Sequence, residues 1–276
     1  MRWPRLCAVC ACDLTFVAAA PGQVGYTAMC DRMHNPAKVM VVLDLMYQAF
    51  DTMAEMTGAY KVETIGDAYF AVTGLCLTST RGTPASQSEE ESCYRMVLFA
   101  RCVREFMLGP FGRSYGICMR IGLHTGDVVT GVLGELRPRM VVVGDTVNVA
   151  SRMETAAEAN SINLSYTSAD LLREHFELQA RKPEEIKGKG VFQMYELGEP
   201  KFTHCPFGLP TPERIVECAY RGLRGFKERA EIDNQSLDQY CSPELTTHLS
   251  GASLGTPLSR PFRTSYRAFP YGLVAE

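Results

Sequence analysis

Apolar positions recur at helical spacing in two stretches of the chain. Val39, Val42, Leu43, Met46, Phe50 and Met53 form one stripe. It is introduced by Asn35-Pro36, where asparagine can cap a helix and proline fits the first helical position. Gly58 is expected to end that helix. Cys93, Met96, Val97, Ala100, Val103 and Met107 form the second stripe. Between them, residues 60–64 and 68–73 read as two strands joined at Gly66-Asp67, a pair suited to a tight hairpin. Residues 14–20, LTFVAAA, read as a buried strand, and residues 77–92 as a polar surface loop. Residues 117–123 and 128–133 read as strands turning at Thr125-Gly126-Asp127, with further strands at Met140–Val143 and 191–196. Helices are expected near 146–158 and 167–174.

Past about residue 200 the periodicity is lost in favour of Pro, Gly, Ser and Thr. Residues 200–276 are therefore expected to be a weakly ordered tail, with one short helix within 212–231. The core alternates strands and helices, which predicts an α+β sandwich: an antiparallel or mixed sheet covered by helices.

Composition narrows the function classes. The chain has 276 residues, 46% of them hydrophobic, enough for one sizeable domain with appendages. A net charge of −3 argues against a nucleic-acid partner. No apolar run reaches the roughly 18 residues of a membrane helix. The eleven cysteines are odd in number and irregularly spaced, which reads as reduced, intracellular thiols. Cys7, Cys10 and Cys12 lack a second cluster that would complete a four-ligand metal site. Arg2 and Arg5 before an apolar stretch faintly resemble a secretion signal, but Asp13 interrupts that stretch.

Two segments carry chemistry. Lys61 to Gly74 read KVETIGDAYFAVTG, and Val142 to Glu154 read VVGDTVNVASRME. In the first, Asp67 sits at a hairpin tip, where a carboxylate can project into a cleft. In the second, Asn148 and Arg152 are four residues apart and share one helix face.

Together these segments resemble the catalytic domain of the class III nucleotide cyclases, closest to the guanylyl cyclases. The resemblance covers about residues 24–199 and divides the chain into an atypical segment 1–22, a catalytic domain 23–199 and the tail 200–276. It implies a ferredoxin-like sandwich and an intracellular enzyme that converts GTP to cyclic GMP and pyrophosphate. It also implies sites shared across a homodimer, or a heterodimer with another cyclase domain. Any membrane link would come from segments outside this chain.

The resemblance implies the following roles. Asp67 binds Mg2+ or Mn2+. Asn148 orients the ribose, and Arg152 stabilises the transition state. Lys187 and Arg120 hold the triphosphate, and the backbone around Tyr26 and Thr27 cradles phosphate. Glu63 accepts hydrogen bonds from the guanine edge. Val141 stands at the second base-reading position, where it packs on the base without hydrogen-bonding, so adenylyl cyclase activity is an alternative.

One position departs from the family pattern. Its first metal aspartate aligns with Gly22. Asp13 lies nine residues upstream, about 30 Å of extended chain, and is not expected to substitute. The alternative that follows is an impaired pseudo-cyclase subunit that completes or regulates a partner's site.

Overall fold

The computed structural model describes residues 5–15, 36–65, 67–75, 88–136, 138–186, 190–202 and 205–231. Helix α1 (Pro36–Thr57) and helix α2 (Glu89–Leu108) form where the two apolar stripes predict them. Phe50, Met53, Met96, Phe99 and Phe106 are all fully buried. α2 begins earlier than the expected loop end at 92. The Ser88 hydroxyl accepts from Glu91 N at 3.0 Å, and Glu89, Glu90 and Glu91 lie in the first turn, where negative charge complements the helix dipole.

Strands β2 (Tyr60–Ile65) and β3 (Ala68–Val72) form the expected hairpin. The first strand differs from expectation. β1 spans Arg5–Thr15 rather than 14–20, and residues 16–20 lie outside the described residues. β1 runs between β3 and β4 (Cys118–Asp127), antiparallel to both. The short apolar residues of LCAVCAC suit a strand with neighbours on both sides. Thr125, Gly126 and Asp127 are not the expected turn. They continue β4, where Asp127 is opposite Arg5 and Gly126 opposite Leu6.

β4 does not pair with β5 (Val129–Leu133). That strand leaves the sheet to pair with β6 (Arg139–Val143) as a separate ribbon. Beyond helix α4 (Asp145–Thr155), which follows the short helix α3 (Pro110–Tyr115), come β7 (Ile162–Ser165), helix α5 (Tyr166–Leu172) and β8 (Phe176–Ala180). A two-stranded pair, β9 (Glu184–Ile186) with β10 (Gly190–Phe192), precedes β11 (Met194–Pro200).

The main sheet has seven strands in the order β2-β3-β1-β4-β7-β11-β8. Only the β4–β7 pair among them is parallel, so the sheet is mixed. Helices α1 and α2 cover one face, with Met119, Ile121 and Leu123 of β4 buried beneath them. α4 covers the other face at Gly122. A Cβ there would lie 1.9 Å from Glu154 N, so only glycine allows the helix so close.

The described structure continues past residue 200 with helix α6 (Pro212–Glu231), so packing does not stop at the expected boundary of 199. Ile215, Ala219 and Leu223 recur every four residues and are buried in the α1–α2 core. The Tyr220 hydroxyl is 3.4 Å from Phe106 O and accepts from Phe111 N at 3.4 Å. The Tyr220 ring lies 4.8 Å from that of Phe106.

Burial raises the Cys93 thiol from an ordinary 9.0 to about 12 and the Tyr220 phenol from 10.0 to about 12. Both groups fold neutral. The stability they contribute is fully present below the unfolded values of 9.0 and 10.0 and is lost as pH rises toward about 12. A thermal melt series from pH 7 to 11 is expected to show the melting temperature falling above pH 9, and more gently in Tyr220→Phe.

Candidate active site

Glu63 owes its direction to a bulge in the hairpin. The register shifts between Lys61, opposite Ala71, and Glu63, opposite Phe70. The extra residue, Val62, bends the strand, and Val62 and Phe70 both pack in a small apolar cluster. Val72, Val128, Val142 and Ala150 are its buried centre, with Met140 and Val147 beside them. The cluster therefore fastens hairpin, ribbon and α4 to one another. It sets Glu63 beside β6, places Val141 between two packed neighbours, and seats the first turn of α4.

The hairpin is also anchored from behind. Lys61 Nζ donates to Asp51 Oδ2 at 3.0 Å, and the buried Tyr69 donates from its hydroxyl to Asp51 Oδ1 at 2.9 Å. Asp67 follows at the tip, partly buried.

Helix α4 starts from Gly144, whose φ of 151° lies in the region open to glycine. A Cβ there would also approach Asp127 O at 3.3 Å. Val149, Ala150 and Met153 are buried under α4, while Asn148 and Arg152 are exposed on its outer side. The four-residue spacing thus gives the shared, accessible face that it predicts.

Arg120 is partly buried, with Nε 3.1 Å from Glu154 Oε1 on α4. Its charge ties β4 to the helix that carries Asn148 and Arg152. Arg139 was not singled out in the sequence, yet its Nη2 lies 3.9 Å from Glu63 Oε2. Both side chains of that pair are well exposed, so it contributes little to stability. Arg139 stands two residues before Val141, and period-2 alternation was the available signal that they share a face. Glu154 was missed because its partner is distant in sequence.

Gly22, Tyr26, Thr27 and Lys187 lie outside the described residues. Among the described residues, no three His, Cys, Asp or Glu side chains gather as a metal site. Asp67 carries the hard oxygen that Mg2+ or Mn2+ prefers.

This architecture is that of the class III nucleotide cyclase catalytic domains. The guanylate cyclase domain of RhGC from Catenaria anguillulae, solved in complex with GTP, superposes with a TM-score of 0.61 at 33% identity. That match covers 73% of this chain and 100% of the other. Residues 22–199 match the adenylate and guanylate cyclase catalytic domain family, and the chain belongs to it.

Its relatives include guanylate cyclases of the receptor type. Atrial natriuretic peptide receptor 2 of Mus musculus is 38% identical over 181 residues, which is 64% of this chain and 17% of the relative. Receptor-type guanylate cyclase gcy-23 of Caenorhabditis elegans is 35% identical over 177 residues, 63% of this chain and 16% of the relative. The chain thus spans about a sixth of the length of these relatives. No helix among the described residues is long and apolar enough to cross a membrane.

Proposed function

We propose that this chain is a guanylyl cyclase domain that converts GTP to cyclic GMP and pyrophosphate. The observation that carries this reading is the apolar cluster of Val72, Val128, Val142 and Ala150, which fastens the Glu63 hairpin, the Val141 strand and the Asn148 helix together. In the reaction the ribose 3′ oxygen gives up its proton to water and bonds to the α-phosphorus. The bond from that phosphorus to the departing pyrophosphate breaks. Asn148 holds the ribose so that the 3′ oxygen lies in line. The Arg152 guanidinium meets negative charge as it grows on the leaving phosphates. Glu63 accepts from the N1 and N2 hydrogens of guanine, while Val141 packs on the base. Arg120, Lys187 and the backbone at Tyr26 and Thr27 hold the triphosphate.

A bound Mg2+ or Mn2+ supplies charge neutralisation at the phosphates, and Asp67 would hold it. Two copies pair so that Asp67 of one protomer faces Asn148 and Arg152 of its partner. Because the substrate is made and kept inside cells, we place the domain there.

Assay of the purified chain with Mn2+ and GTP tests this directly. Cyclic GMP is the expected product; a folded, dimeric protein that forms none overturns the reading. Glu63→Lys replaces an acceptor by a donor, which suits the N1 acceptor of adenine. It is expected to move the ratio of kcat/KM for GTP over ATP toward ATP by about tenfold or more. Competition between the two nucleotides checks that shift.

Gly22 favours a second reading, a subunit that completes a partner's site. Activity that arises only on mixing with an intact cyclase domain would select it.

A further inference from the structure

β2 is gripped from both faces of the sheet at two adjacent residues. Tyr69 and Ala71 of β3 are buried in the core under α1 and α2, whereas Phe70 and Val72 belong to the cluster that includes Ala150 of α4. These partners assign the faces of β2, because directly opposed residues of paired strands share a face. Lys61, opposite Ala71, belongs to the α1 side, and Glu63, opposite Phe70, to the α4 side. In a regular strand, residues two apart point the same way. Lys61 and Glu63 do not, because Val62 is inserted between them as a bulge. With a regular register Glu63 would turn toward α1, away from β6 and α4.

The place of the bulge is held by Lys61. α1 presents Tyr47 and Asp51, one helical turn apart. The Lys61 ammonium reaches both Asp51 oxygens, Oδ1 at 2.9 Å and Oδ2 at 3.0 Å. It also lies 5.6 Å from the centre of the Tyr47 ring and 5.3 Å from that of Tyr69. The Tyr69 ring in turn meets Phe50 edge-on at 5.5 Å, so the clamp is rooted in the core. On the other face Val62 packs in the apolar cluster. One residue is drawn toward α1 and the next toward α4, and sliding the bulge along the strand would break one contact or the other. The Lys61 and Asp51 side chains are 34% and 47% exposed, so the pair adds little to stability. What it fixes is direction.

We propose that Lys61 and Asp51 are positioning residues for base selection: their pairing pins the bulge that turns Glu63 toward the nucleotide base. This rests on the guanylyl cyclase reading, because Glu63 selects only if a purine edge is what it faces. Neither residue touches the nucleotide. Each acts through the backbone at Val62, from the side of the sheet opposite to α4.

The test is equilibrium binding of 3′-deoxy-GTP and 3′-deoxy-ATP, which cannot cyclise, to the full chain with Mn2+, read by calorimetry. Wild type is expected to prefer the guanine nucleotide. Lys61→Met keeps the aliphatic stem and loses the charge. Asp51→Asn loses the charge but keeps an oxygen for the Tyr69 hydroxyl, which donates to Oδ1 at 2.9 Å. Each is expected to lower the ratio of guanine to adenine affinity about tenfold, roughly one well-made hydrogen bond to the base, while melting close to wild type. The double variant should fall no further than either single one, and Lys61→Arg, which can pair again with Asp51, should regain the ratio. An unchanged ratio in either single variant, or falls that add in the double, overturns the inference. A Glu63→Lys chain that still shifts toward adenine then leaves the cyclase reading standing. Wild type that binds both nucleotides equally, or neither, removes the guanine reading, and this inference with it.

Discussion

Arg152→Ala is expected to lower kcat for cyclisation of GTP by about 10²–10³-fold, the usual effect of removing a preorganised charge from a developing oxyanion. The fold should survive. Arg152 is exposed on α4, whose packing rests on Val149, Ala150 and Met153 on its other side. KM should change little if the guanidinium acts mainly on charge that appears in the transition state. Single-turnover formation of cyclic GMP, beside a thermal melt, separates these effects. A variant that melts like wild type and cyclises like wild type would remove Arg152 from the chemistry. Equal loss in kcat and stability would make its role structural.

A large loss of stability is expected from Gly122→Ala. The added carbon would lie 1.9 Å from Glu154 N and 2.5 Å from Glu154 Cα, both backbone atoms that no rotamer change can move aside. α4 must lift from the sheet, which costs about 3 kcal/mol or more. For a domain of this size the melting temperature should fall by about 6–12 °C. Lifting the helix also stretches the Arg120–Glu154 pair and moves Asn148 and Arg152. Cyclase activity should therefore fall at temperatures where the variant is still folded. Denaturant unfolding monitored by circular dichroism checks the first part, and activity below the transition the second.

The regular parts of this fold were legible because their periodicity is strong. The stripes of α1 and α2 and the Gly66-Asp67 hairpin needed only spacing and turn chemistry. β7 was not legible: all four of its residues, Ile162–Ser165, are buried, so it shows no alternation. Thr125-Gly126-Asp127 has the composition of a turn, and tertiary pairing with Arg5 and Leu6 overrides it. β1 departs from the expected 14–20 because Asp13 interrupts the apolar stretch in the sequence, yet the strand runs through it to Thr15.

For the candidate site, the shared outer face of Asn148 and Arg152 followed from helical spacing alone. The contacts of Glu63 with Arg139 and of Arg120 with Glu154 join residues far apart in the chain. Only the folded sheet brings them within reach.

The interior position of β1 in the sheet also bears on how the protein is made. Residues 5–15 leave the ribosome about a hundred residues before the β4 segment they lie against. Until then LCAVCAC is an apolar, β-prone stretch that only β3 can pair, with its other edge open, the kind of exposure that invites aggregation and chaperone capture. Closing so long a loop should make completion of the sheet a slow, late event in folding.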